Sequence, residues 1–253
     1  MKFKILLFTV VMAFTFCKKD KKTGDPVATP PAATTSNAKV SLKGVADAAD
    51  LVYGTKYKNM NGDTFTVSMF KYYITNVVLT KDDGSKFYEA ASYHLLDHST
   101  TTEFTINNIP IGTYKSMSYL IGVDSIHNVS GAQDGDLSPS KGMYWAWTGY
   151  VNLKFEGNSN QAGSIDKTLT FHIGGYSGSN NTGQQRTLTF GQDLVIAGGK
   201  TPQLKLKTNV CELFKNPFAF DFGHTYDITG PGIAANGFAA NYADMISFDS
   251  IIP

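Results

Sequence analysis

The sequence has few cysteines, no excess of one charge and no apolar run long enough to cross a bilayer as a helix. Its two cysteines are Cys17, near the start, and Cys211. The 22 basic and 21 acidic residues give a formal charge of +1, and no Lys/Arg cluster stands in the expected folded part. This excludes nucleic acid as a partner, since a duplex binder needs a basic patch. We expect no internal disulfide, and we expect Cys211 to be buried as a small apolar residue.

The first residues have the pattern of an export signal. Lys2 and Lys4 precede an apolar stretch at 5–16, which is too short to span a membrane and is typical of a signal-peptide core. Cys17 follows directly and is succeeded by lysines. The arrangement resembles a bacterial lipoprotein signal in which the cysteine becomes the lipidated first residue. Phe16 departs from it, because a small residue is usual before the cysteine.

Three segments follow from this interpretation. Residues 1–17 are expected to be a lipoprotein signal peptide, and residues 18–38 a flexible tether, because they are rich in Lys, Thr, Pro and Ala and have few large apolar side chains. Residues 39–253 are expected to form one folded domain. The protein would then be anchored by its lipid in the cell envelope, such as the outer membrane, facing the periplasm or the cell surface.

The Ala/Glu/Leu/Lys/Arg mixture typical of helices is thin, whereas β-branched and aromatic residues are abundant. Several segments alternate apolar and polar residues with the period of a strand, and polar turn clusters separate them. We therefore predict an all-β fold, an antiparallel β-sandwich with long loops and at most short helices, one of them near 242–246. The clearest alternating segments are 64–69, 150–156, 169–173 and 204–210.

Three residues in the middle of the chain are candidates for a site. Trp145 and Trp147 lie two apart, so in an extended backbone they share one face. His172 stands between Phe171 and Ile173 in a predicted strand, so it faces away from both. Each has an ordinary alternative, since paired tryptophans often pack in a core and a strand histidine is often only hydrogen-bonded.

The order of motifs resembles that of the MbnP-like copper-binding proteins. Trp-x-Trp at 145–147 is followed by Gly-Tyr at the start of a strand that ends Glu-Gly at 156–157. Phe-His-Ile-Gly-Gly at 171–175 comes next. The likeness extends to Phe-Lys-Tyr-Tyr-Ile-Thr-Asn-Val at 70–77, Tyr-His-Leu-Leu-Asp at 93–97 and Asn-Tyr-Ala-Asp-Met at 241–245. It therefore covers nearly the whole predicted domain, although only Thr148 separates Trp147 from Gly-Tyr, where the family usually has two residues.

The resemblance implies that the protein binds copper and performs no turnover. In this family a partner dihaem enzyme can oxidise one tryptophan to kynurenine, whose aryl amine binds copper together with histidines. His172 falls on the family's histidine motif and is the leading ligand. Trp145 and Trp147 are the candidates for oxidation, and His127 is a possible second ligand. The other choices of ligand are His94, His98, His224 and Met143.

A different class of function remains open. The domain could be a non-catalytic interaction or glycan-binding module that has kept the fold without the metal. Asp124, Asp134 and Asp136 fit no EF-hand spacing and are better explained as solvated acids. Neither a nucleophile elbow nor a phosphate-binding loop is present in the sequence, so we do not expect a hydrolase.

Overall fold

A computed structural model of the protein describes residues 34–253, which contain fifteen strands and two α-helices. The helices are α1 Ser125–Val129 and α2 Ile233–Tyr242. The strands are β1 Thr35–Ala46, β2 Ala49–Asp50, β3 Tyr57–Lys58, β4 Thr64–Lys81, β5 Lys86–Tyr88, β6 Tyr93–Asp97, β7 Glu103–Pro110, β8 Gly112–Ile121, β9 Tyr144–Trp145, β10 Gly149–Asn158, β11 Thr168–Gly174, β12 Gln184–Ile196, β13 Gln203–Asn209, β14 Asp227–Thr229 and β15 Ile246–Ile252.

The strands form two sheets. The smaller has the order β15-β13-β1-β2, with β7 also paired to β1. The larger has the order β12-β8-β4-β10-β11-β14, with β3, β5, β6 and β9 paired to β4 or β10. All pairs are antiparallel except β1 with β13 and β11 with β14. The prediction of an all-β sandwich is confirmed. The two parallel pairs differ from the antiparallel pairing that the sequence predicts.

The main apolar core lies between the two sheets. Val40 of β1 and Leu206 of β13 come from the smaller sheet, and Ile74 of β4 and Tyr119 of β8 come from the larger one. The alternation seen at 204–210 is confirmed, because every second side chain of β13 is buried. Burial of such side chains is the dominant stabilising contribution to a fold of this kind.

A second apolar cluster covers part of the outer face of the larger sheet. Tyr72 belongs to the main core, and its neighbour Tyr73 belongs to the second cluster, because successive strand residues face opposite ways. The segment between β8 and β10 supplies Leu137 and Met143 to this cluster. This segment, which also carries both tryptophans, therefore covers part of the outer face of the larger sheet.

Strand β10 departs from the predicted pattern. The sequence predicts Val151, Leu153 and Phe155 on one face. In the structure Leu153 and Phe155 lie in the main core, whereas Val151 lies in the second cluster. The register between β10 and β11 shifts between Val151 and Leu153. Such an irregularity moves the residues before it to the other face of the sheet.

The short helix predicted near 242–246 was misplaced. Helix α2 ends at Tyr242, and β15 already begins at Ile246. The buried residues of α2 include Ala235, Phe238, Ala239 and Tyr242, which follow the helical spacing of three and four. This helical spacing of apolar residues is visible in the sequence. It begins directly after Pro231 and Gly232, which are typical of a turn, and the helix was therefore not predicted there.

The N-terminal boundary also differs from the expected one. Strand β1 begins at Thr35 and Ala38 is buried, so the last residues of the stretch assigned to a tether belong to the smaller sheet. They pair with β7, where Thr35 lies opposite Pro110. The expected signal peptide at 1–17 and its Cys17 lie outside the described residues. Within residues 34–253, no helix is long and apolar enough to cross a membrane.

His98 gives the fold a pH dependence that can be measured. Its ring stacks on Phe70 with 4.9 Å between centroids, and burial lowers the pKa of His98 to about 4. Between this value and the ordinary 6.5, the unfolded chain binds more protons than the folded one. We expect the free energy of unfolding to fall by up to about 3 kcal/mol as pH decreases from 6.5 to 4. Urea denaturation at pH 7 and at pH 4.5 measures this difference in the free energy of unfolding.

The control for this prediction is His98→Gln, which cannot become charged but keeps a polar side chain near the Tyr72 hydroxyl. This variant should lose less stability than the wild type over the same pH interval, because all other titrating groups are unchanged. Identical pH dependence of the two proteins would contradict the assignment to His98.

Candidate functional site

The outer face of the larger sheet carries a row of polar side chains. His172 of β11 lies opposite Lys154 of β10 on one side and Thr229 of β14 on the other. Lys154 in turn lies opposite Lys71 of β4. Phe171 and Ile173 are buried in the main core, so His172 faces away from them, as the sequence predicts.

His172 is held by one carboxylate. Its Nε2 atom lies 2.8 Å from Oε1 of Glu156, and only 15% of the side chain is exposed. Burial lowers the pKa of His172, and the hydrogen bond to Glu156 opposes this. The imidazole is therefore mainly neutral at pH 7. With Nε2–H donated to the carboxylate, the lone pair is on Nδ1, because a neutral imidazole has one donor and one acceptor nitrogen.

Trp145 lies beside this histidine. The two ring centroids are 5.9 Å apart with an angle of 47° between the planes. The backbone of Trp145 pairs with Gly149 across the short β9–β10 hairpin. Gly149 has φ of 83°, and a Cβ there would come within 2.4 Å of Oδ1 of Asn128. The hairpin that places Trp145 therefore requires glycine at this position.

Trp147 stacks on Trp145 on the tip of the same hairpin. Their centroids are 5.8 Å apart and their planes differ by 6°, which confirms that the two indoles lie side by side. The side chain of Trp147 is 79% exposed, whereas Trp145 is half-buried against the second apolar cluster. The alternative that both rings simply fill the core is therefore wrong for Trp147.

His127 belongs to a different cluster. Its Nδ1 atom lies 2.9 Å from Oδ1 of Asp124 and 2.6 Å from the hydroxyl of Tyr93. Asp124 also caps the first turn of α1 by accepting from the backbone N–H of His127. Within residues 34–253, no hydrogen bond or ring contact joins His127 to Trp145 or His172. The structure therefore does not bring the expected second ligand to the first.

The other candidate ligands also have partners of their own, away from His172. His94 is hydrogen-bonded to Glu89 and stacks on Phe104, and His98 is packed against Phe70. His224 is 87% exposed and paired with Asp221. Met143 is fully buried in the second cluster, so its thioether is withdrawn from solvent.

The three groups that come together are His172, Glu156 and Trp145. Within the described part of the chain, no cluster of three His, Cys, Asp or Glu side chains has the arrangement of a metal site. The described residues bring together one neutral imidazole that a carboxylate orients, as it does for many ligating histidines, and this single donor is not a complete metal site. An unmodified indole adds no basic lone pair, so a second strong nitrogen donor would have to be created.

Glu156 was missed as a member of the site. The sequence contains it only as the end of a strand, and it lies sixteen residues before His172. The two meet because β10 and β11 form a hairpin in which Lys154 lies opposite His172, so that Glu156 is its diagonal neighbour. A short, defined turn between β10 and β11 would have fixed which residues of the two strands lie opposite each other, and so would have indicated that Glu156 is near His172. The connection at 159–167 is too long for the sequence to fix this register.

The fold and the site define a class of protein. It is a two-sheet β protein with an imidazole, a carboxylate and an indole gathered on the outer face of its larger sheet. The fold is similar to that of MbnP from Methylosinus trichosporium, with a TM-score of 0.51 and 16% sequence identity over 80% of this chain and 83% of that one. At this identity the likeness concerns the fold alone. No curated protein is similar enough in sequence to match.

The family is shown by the sequence itself. The model of the MbnP family matches residues 35–229, and the chain therefore belongs to this family. The match confirms the resemblance found from the motifs and associates the chain with copper binding. Helix α2 and strand β15 lie beyond the matched residues.

Proposed function

We propose that this protein binds copper through Nδ1 of His172, and that it scavenges, stores or delivers the ion without turnover. The observation that supports this proposal is the 2.8 Å hydrogen bond from Nε2 of His172 to Glu156, with the ring of Trp145 alongside. A carboxylate that accepts one imidazole N–H fixes the tautomer and raises the basicity of the other nitrogen. Glu156 is thus a positioning residue for the ligand.

The environment of His172 suits copper in its reduced state. Imidazole is a good ligand for this soft ion, which accepts a low coordination number. The low pKa of His172 leaves the nitrogen free of a proton at neutral pH. Partial burial reduces competition from water for the same position. One imidazole is a weak site by itself, so a second donor would raise the affinity.

Kynurenine formation at Trp145 would supply that donor. Of the two tryptophans, Trp145 has its ring beside His172, whereas Trp147 lies on the outer side of Trp145. Oxidation of Trp145 by the dihaem partner would expose an aryl amine next to the imidazole. Trp147 shields the modified side chain from solvent and is not itself a ligand in this proposal.

The place of action that we propose is the cell envelope. A lipid on Cys17 would hold the protein at a membrane, and the domain would face the periplasm or the cell surface. This part of the proposal is supported by the signal-like pattern of 1–17 alone. An anchored copper protein would work where the ion enters the cell.

A second candidate function is supported by the exposure of Trp147. An indole with 79% of its surface in solvent is typical of a surface that binds a sugar ring or a partner protein. In this alternative the protein is an interaction module that has kept the fold without the metal. Loss of glycan or protein binding in Trp147→Ala, with no copper bound to the wild type, would support it.

The proposal is tested on protein made in its native host. We expect it in the membrane fraction with a lipid on Cys17, with copper bound, and with the mass of kynurenine on the peptide that contains Trp145. Peptide mapping, metal analysis and fractionation measure these three properties. Unmodified tryptophans together with absent copper would refute the copper function, and modification of Trp147 in place of Trp145 would refute the assignment of the site.

A further inference from the structure

A polar cleft opens on the outer face of the larger sheet, at the Lys71 end of its row of polar side chains. Lys71 of β4 and Asp97 of β6 lie opposite each other in the sheet and line one side of the cleft. Asp136 and Lys141, from the segment between β8 and β10, line the other side. The volume of about 260 Å³ is just below the range of about 300–1,000 Å³ that encloses a whole drug-sized molecule. The cleft therefore suits a larger ligand of which one part enters.

Two charged groups of the cleft have hydrogen-bonding capacity to spare. Asp136 accepts from the backbone N–H of Leu95 through Oδ2 alone, at 3.0 Å. Within residues 34–253, neither Oδ1 of Asp136 nor Nζ of Lys141 has a hydrogen-bond partner in the protein. Lys71 and Asp97, by contrast, are paired with each other at 2.9 Å. Asp136 and Lys141 are thus the acceptor and the donor that the cleft offers to a ligand.

The charges of the cleft favour a ligand without net charge. Lys71 and Lys141 balance Asp97 and Asp136, so a charged ligand would be repelled by one pair as strongly as it is attracted by the other. A hydroxyl group both donates and accepts hydrogen bonds, so it pairs with a carboxylate and with an ammonium alike. Hydrogen bonds to such ionised groups are roughly twice as strong as those between neutral groups. A molecule with several hydroxyls therefore matches the cleft.

The exposed indole of Trp147 is carried by the same segment as this cleft. Trp147 follows Lys141 by six positions, so their Cα atoms are at most about 22 Å apart. Trp145 stacks on one face of the Trp147 ring, and the other face is open to solvent. Sugar rings present C–H groups that pack on such an aromatic face, as well as hydroxyls. An oligosaccharide thus suits both the cleft and the indole, which a free amino acid does not.

We propose that this protein binds a neutral oligosaccharide, with one sugar unit in the cleft at Asp136 and Lys141 and another stacked on Trp147. This inference rests on the second candidate function and names the class of its ligand. It adds a contact region that neither tryptophan lines, and it does not depend on copper.

The probes of the test are the neutral tetrasaccharides of cellulose, xylan, mannan and starch. The full chain is purified in a detergent without a sugar headgroup, and binding is measured by isothermal titration calorimetry. We expect at least one probe to bind at a single saturable site. Asp136→Asn and Lys141→Met should each weaken this binding by about 10-fold or more, because each removes a hydrogen bond to a charged group. Trp147→Ala should weaken it by about 3- to 10-fold.

The matched controls are Asp82→Asn and Lys86→Met, in the hairpin of β4 and β5. Both side chains are exposed and lie outside the cleft, so these variants should bind the same probe as the wild type does. Near-ultraviolet circular dichroism shows whether each variant is folded. Should Asp136→Asn be unfolded, Lys141→Met still decides the question, because Lys141 is exposed and its ammonium has no partner to lose.

The outcomes separate this inference from the functions proposed above. Binding that is weakened in Trp147→Ala but unaltered in Asp136→Asn and Lys141→Met overturns the role of the cleft and leaves a glycan-binding module. Equal losses in Lys141→Met and Lys86→Met overturn it as well, because only Lys141 lines the cleft. Absence of binding to every probe refutes the inference, and copper binding by the same protein then still tests the copper function independently.

Discussion

Replacing His172 with alanine is expected to lower the copper affinity by roughly 100-fold or more. Changes to the residues that merely orient a metal ligand cost about 10- to 100-fold, and His172 is the ligand itself. It is also the histidine that lies beside Trp145, so no other imidazole of the described chain replaces it. Competition titration of Cu(I) with a chromophoric chelator, on wild-type and variant protein, measures the difference.

Two further variants make this result specific. His224→Ala removes an exposed histidine that is also paired with a carboxylate, Asp221, and should leave copper affinity unchanged. Glu156→Leu keeps His172 but removes the acceptor of its Nε2–H, and should weaken binding by about 10-fold. Equal losses in His172→Ala and His224→Ala would show that copper binds to surface histidines in general.

Phe214→Ala should destabilise the fold more than any substitution in the site. Phe214 ends the 3₁₀-helical turn Val210–Phe214 and is fully buried. We expect the free energy of unfolding to fall by about 3–5 kcal/mol, because the change removes buried apolar surface and leaves a cavity. Guanidinium denaturation followed by tryptophan fluorescence measures it. The ring contacts five other phenylalanines, namely Phe65, Phe155, Phe171, Phe222 and Phe238.

The control is Phe218→Ala, on the loop that follows the same turn. Its side chain is 52% exposed, so its removal forms no closed cavity and should cost less than about 1 kcal/mol. Comparable destabilisation by the two substitutions would contradict the assignment of Phe214 to the centre of the core. It would point instead to a structural role for the loop itself.

The positions and buried faces of most strands could be predicted from the sequence. The alternation at 169–173 predicted that His172 faces away from the core, and the structure confirms it. Cys211 was expected to be buried and is. Such predictions depend on residues adjacent in the chain, because a strand turns successive side chains to opposite faces. The prediction for Val151 was wrong because an irregularity in β10 shifts this alternation.

The site could be predicted only in part from the sequence. The order of the motifs indicated Trp145, Trp147 and His172 through a family resemblance. In the structure Trp145 lies beside His172, and Trp147 stacks on Trp145. The structure separates His127, which belongs to the Asp124 and Tyr93 cluster. A histidine in a loop has no periodicity that indicates its neighbours, so its position depends on how the loop packs.

By itself, the sequence determined the all-β class, the faces of most strands and the family of this protein, because these follow from local periodicity and from the order of motifs. Tertiary structure alone decided that Glu156 orients His172, that Trp145 and not Trp147 lies beside it, and that β1 pairs with β13. The physical reason is the same in all three cases. Pairing register and loop placement are set by contacts between residues far apart in the chain, and local pattern carries no information about them.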